Sequence, residues 1–197
     1  MPIPPSLRPT VALEVRDRRI LFLMGVVGFV AGYGGAQMAH TLPFARVSLG
    51  LTEGEMSLVF ALVRAASLLG VVFAMRADRS GRRRPLLVAF LLLVTGSLVT
   101  AFFPTTALYA VSQAAVRIAV VAVASLGLVV LAEELTPGAR AYGIGIYGLA
   151  GSLGVGTGLV LLPIAEQSPD AWRILFGLTA TGLLAFPMLS RYLPESR

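Results

Sequence analysis

Arg64 and Arg117 are the only charged residues deep inside the apolar runs of this 197-residue sequence, Arg173 lying at the very edge of the last. A guanidinium is always charged and presents five donors in a planar fork that matches carboxylate, phosphate or paired hydroxyl groups. Placing one at mid-membrane depth costs a few kcal/mol or more, so such residues face a bundle interior or water. At 1.5 Å per residue, Arg64 lies about 12 Å and Arg117 about 15 Å from the same edge of their runs. Two cations at matched depth read as the lining of a cavity for an anionic or polyhydroxyl solute. Bonding to backbone carbonyls of neighbouring helices, or snorkelling to the interface, is the alternative. Tyr33, Gln37 and Gln113 are uncharged candidates for the same cavity, with packing as the alternative for each.

The elements that must position these groups are membrane helices. The chain is 56% hydrophobic and 13% charged, with a mean hydropathy of +0.83. Soluble domains are about 45–50% apolar. Six apolar runs, about 20–39, 57–75, 86–103, 107–131, 142–163 and 172–190, are each of bilayer-spanning length. The expected fold is therefore an all-α membrane protein, a bundle of six transmembrane helices. Residues 1–19 form an N-terminal cytoplasmic segment in this reading, and 191–197 a cytoplasmic tail. A loop is expected at 40–55, ending in a helix cap at Thr52 with Glu55 three residues on.

Charge fixes the orientation. All sixteen basic residues are arginine, and the net charge is +6. Twelve of the arginines fall on the side of the N-terminus, and two, Arg46 and Arg173, on the other. Basic residues stay on the cytoplasmic side, so both termini are expected inside. The same clustering at membrane edges argues against a nucleic-acid partner. There is no cysteine and one histidine. No nucleophile–base set, metal cluster or phosphate loop is evident, so no enzyme, metal or cofactor is expected.

Six charges lie between Arg76 and Arg84, in the stretch A-M-R-A-D-R-S-G-R-R-R-P. This stretch resembles the G-x-x-x-D-R-x-G-R-R signature between the second and third helices of the major facilitator superfamily. Asp78, Arg79, Gly81, Arg82 and Arg83 fall on the pattern, and Ala74 replaces its first glycine. E-E-L-T-P-G-A-R-A after the fourth run resembles the E-x-x-P-x-x-x-R-G of sugar porters and related metabolite symporters, through Glu134, Pro137 and Arg140, one residue short. Trp172-Arg173 resembles the W-R that opens their sixth helix. L-P-E-S-R resembles the P-E-S-P-R that ends their first half. Arg117 resembles the arginine of the family's R-x-x-x-G motif, with Val121 in place of glycine.

The resemblance implies the N-terminal half of a twelve-helix fold built from two six-helix repeats. It implies transport of a small solute by alternating access, across the inner or plasma membrane. A second six-helix half would be needed, from a second copy or a separate chain. The resemblance also implies a latch: Asp78 reaching across to the other half, and Arg82 pairing with Glu133 or Glu134, with Arg140 nearby. A non-transporting accessory or assembly protein that keeps the fold is the alternative. Family symporters carry a carboxylate in the membrane; no run here holds one, and His40 lies at the edge of the first, so proton coupling is unsupported. The G-x-x-x-G pairs Gly28/Gly32 and Gly154/Gly158 mark faces where another helix backbone approaches closely. They are expected on the face turned to the second half.

Overall fold

The computed structural model describes residues 11–72, 75–76, 81–103 and 105–194, and these are helices and short connections without a strand. Helix α1 spans Val15–Ser48, α2 Glu53–Ala66, α3 Arg83–Phe102, α4 Thr106–Glu134, α5 Arg140–Val160, α6 Trp172–Leu178 and α7 Phe186–Tyr192. Tight turns of 3₁₀-helix extend α2 over Ser67–Gly70 and join α6 to α7 over Thr179–Leu184. Among the described residues, five helical stretches are long and apolar enough to cross a membrane: α1, α3, α4, the stretch built on α5, and Trp172–Tyr192, which joins α6 and α7. The sixth expected span, 57–75, is helical from Glu53 and runs to the edge of the described residues.

The first and last helices meet at one end of the bundle, where the Arg19 guanidinium stands 5.2 Å from the Tyr192 ring centroid. This is the terminal end. At the opposite end Ser48 donates to Asp170 at 2.6 Å, and Arg173 pairs with Asp170 at 2.7 Å.

The loop expected at 40–55 is corrected to helix as far as Ser48. Pro43 removes one backbone donor, and that alone does not end a helix whose far side is packed. Thr41 and Ala45 are buried there, and Ala45 joins Met56, Tyr109, Trp172 and Phe176 in one apolar cluster. Trp172 holds that cluster edge-on, its ring 5.8 Å from Tyr109 and 5.8 Å from Phe176. Residues 15–19, expected in the N-terminal cytoplasmic segment, already belong to α1. The Thr52 cap forms as expected: the Glu55 N–H donates to the Thr52 hydroxyl at 3.3 Å, and the Thr52 N–H to the Glu55 carboxylate at 2.9 Å.

The closest helix pair is α1 with α5. A Cβ on Gly32 would overlap the Gly151 carbonyl oxygen, and one on Gly154 would overlap the Phe29 carbonyl. A Cβ on Gly28 would come within 2.9 Å of the Tyr147 ring, and one on Gly158 within 2.9 Å of the Gln37 amide nitrogen. Both G-x-x-x-G pairs thus join α1 to α5 within the chain. The expectation that they face a second half is corrected. Lipid offers helices no hydrophobic drive to associate, so close backbone approach is what holds this seam.

Candidate functional site

Arg64 from α2 and Arg117 from α4 line one cleft, whose wall includes Gly35, Met38, Ala39, Phe60 and Gln113. α1, α2 and α4 position these groups. Arg64 is held along its own helix, its guanidinium 4.8 Å from the Phe60 ring centroid one turn back, which is within cation–π range. Arg117 is half-buried, and its Nε finds no partner among the described residues. No carboxylate lines the cleft among those residues. Arg64 is exposed, so two like charges share a cleft that is only partly buried, without a countercharge in its lining. Such an arrangement is costly alone and is relieved by an anion or by a dense set of hydroxyl acceptors.

Gln113 reaches this cleft, but its amide nitrogen is also committed to Thr100 on α3 at 2.7 Å. The Thr100 hydroxyl lies 2.7 Å from that of Ser112, so the three residues tie α3 to α4. Tyr33 points elsewhere: its phenol donates to the Leu175 carbonyl at 2.9 Å. Gln37 is 0% exposed, and neither end of its amide has a partner among the described residues. It sits against Gly158 on α5 and does not line the cleft. The structure thus brings together three of the five candidate residues.

The terminal end carries the charge network. Arg82 pairs with Glu133 at 2.8 Å, and Glu134 pairs with Arg16 from the start of α1. Arg83 donates to the Ser190 carbonyl, which joins α3 to α7. Arg140 turns back on its own connection, its Nε 3.3 Å from the Leu135 carbonyl. Gly81 has φ of 85°, a left-handed conformation that other residues rarely adopt, so the glycine of the signature is required by the backbone. Asp78 and Arg79 lie outside the described residues.

Asp17, with its partner Thr136, was not singled out from sequence. Asp17 is only 2% exposed, and it accepts from the Thr136 hydroxyl at 3.0 Å and the Thr136 N–H at 3.4 Å. It also accepts from the Glu14 N–H at 3.4 Å. A carboxylate in the first turn of a helix, three residues after a polar residue, is a legible capping signal. Its long-range partner on the α4–α5 connection is not legible.

A bundle of apolar helices with a basic cleft inside and arginines massed at one end is a multi-pass membrane protein. The chain belongs to the major facilitator superfamily, whose family model matches residues 21–197. It is 28% identical over 191 residues to the probable metabolite transport protein CsbC of Bacillus subtilis, covering 93% of this chain and 40% of that protein. It is 27% identical over 181 residues to the inner membrane transport protein YnfM of Escherichia coli, covering 90% of this chain and 42% of that one. The fold matches the proton:xylose symporter XylE with a TM-score of 0.79 at 20% identity, over 91% of this chain and 45% of XylE. It matches the human organic anion transporter MFSD10 with a TM-score of 0.69 at 20% identity, over 91% of this chain and 48% of that one. The chain thus spans about 40% of the length of the curated relatives, and it has the fold of the N-terminal half of the family.

Proposed function

We propose that this chain is one six-helix half of a transporter that moves a small anionic or polyhydroxyl solute by alternating access. The observation that carries this reading is the cleft, where Arg64 and Arg117 stand together with no lining carboxylate among the described residues. Its relatives are named as metabolite transport and membrane transport proteins, which agrees with such a cargo. The second half comes from another copy, a separate chain or a continuation of this one. The two halves rock about the cleft. The Arg82–Glu133 pair, beside the Gly81 turn, belongs to the latch that holds one state and breaks in the other. The protein works without a cofactor and catalyses no covalent step.

The terminal end faces the cytoplasm of a cell whose inner or plasma membrane holds the protein, by the twelve-to-two arginine distribution. Reporters fused at each terminus should both be active inside. Activity of the C-terminal reporter only outside would remove the orientation. The transport reading is tested by uptake into proteoliposomes holding the chain with its second half, screened with sugars, sugar phosphates and organic acids. Accumulation of one of these above protein-free vesicles is expected; leak-level uptake of all would sink the reading.

A further inference from the structure

A second basic site lies at the terminal end, away from the cleft. Val15, Arg16, Arg19, Ile20, Tyr192 and Pro194 line a hollow of about 410 Å³ between the start of α1 and the end of α7. The Tyr192 ring carries two guanidiniums, that of Arg19, which lines the hollow, at 5.2 Å and that of the neighbouring Arg191 at 5.5 Å from its centroid. The ring attracts both guanidiniums by cation–π interaction. Neither is in an ion pair among the described residues. Two described acids near this end are already engaged, Glu134 with Arg16 and Asp17 with Thr136. The phenol of Tyr192 adds a further donor at the same place.

The surroundings are those of an interface. Val15 is 75% exposed on one side of the hollow. Leu184, 83% exposed, stands seven residues before Arg191 in the chain. The 3₁₀ turn ending at Leu184 leads into α7, which carries Arg191 in its last turn, so the arginine lies on the terminal side of an exposed apolar residue. A cationic hollow near exposed apolar side chains matches an amphiphile with a phosphate head.

We propose that Arg19, Arg191 and Tyr192 bind the headgroup phosphate of an anionic phospholipid, with its acyl chain along the Leu184 face. The site is separate from the solute cleft and does not depend on what the cleft carries. Each arginine near an anionic surface contributes enough that losing both should weaken retention roughly tenfold to thirtyfold.

The test is native mass spectrometry of the purified full chain with phosphatidylglycerol, phosphatidylcholine or inorganic phosphate added. The parent should retain phosphatidylglycerol in preference to phosphatidylcholine. The R19Q/R191Q variant should lose that preference by the factor above, and R19K/R191K should recover part of it. R46Q, at the opposite end, should keep it in full and shows that charge loss alone is not the cause. Equal retention by parent and R19Q/R191Q, or no preference in the parent, overturns the site. Displacement of the lipid by millimolar inorganic phosphate would overturn the lipid assignment in favour of a free anion.

Discussion

Replacing Arg117 by Met should cut solute uptake by roughly a hundredfold, the loss expected when a charge-assisted, two-pronged hydrogen bond is removed from a partly buried site. Arg64→Met should have an effect of similar size, because both guanidiniums line the same cleft. The folded protein should not suffer. Arg117 Nε has no partner among the described residues, so methionine of similar length removes a poorly satisfied charge and leaves the packing. Thermal stability of Arg117→Met in detergent should hold or rise. Arg117→Lys keeps the charge but not the fork and should recover only part of the uptake. Parallel loss of uptake and stability in Arg117→Met would instead make the arginine a structural tie.

Gly154→Val should abolish accumulation of folded protein. A Cβ at residue 154 would overlap the Phe29 carbonyl and come within 2.7 Å of the Tyr33 nitrogen. Both are backbone atoms, so no rotamer change gives relief; α1 and α5 must move apart. That separation forfeits the contacts along the whole seam, and overpacking of this kind costs about 3 kcal/mol or more. A folded yield at least roughly tenfold below the parent is expected by fluorescence-detected gel filtration. Gly156→Ala is the control. Nothing lies within 4 Å of a Cβ there, and alanine is the better helix former by about 1 kcal/mol. It should express as well as the parent. Normal yield of Gly154→Val would mean the seam is looser than the structure has it.

Much of the fold was legible because membrane helices are written in long apolar runs and their ends in capping residues. The Thr52–Glu55 box appears where its spacing placed it. The continuation of α1 through Pro43 was not legible, because it depends on Met38 and Ala45 packing in one cluster with residues from α2, α4 and α6. In the candidate site, the pairing of Arg82 was narrowed to two adjacent acids, and geometry chose Glu133. Glu134 went to Arg16, which lies 118 residues away in the chain; no local pattern carries such a pairing. The glycine pairs were recognised as contact surfaces, yet sequence does not say whether the contacting helix belongs to the same chain. Tyr33 and Gln37 show the same limit. Both sit on α1 within one turn of cleft residues, and the rotation of that helix turns them to α6 and α5 instead.

The central claim is that the cleft is a hydrated, positively charged solute path, and the cysteine-free sequence allows it to be probed directly. Ala39→Cys places a thiol in the cleft wall, and Leu184→Cys places one on the exposed apolar face. Rates of modification in membranes would be measured with an anionic and a cationic methanethiosulfonate reagent of similar size. Ala39→Cys should react at least roughly tenfold faster than Leu184→Cys, and faster with the anionic reagent than with the cationic one. The anionic preference should disappear when Arg64 and Arg117 are both replaced by Met. An unreactive thiol at residue 39, or one that favours the cationic reagent, would contradict the account.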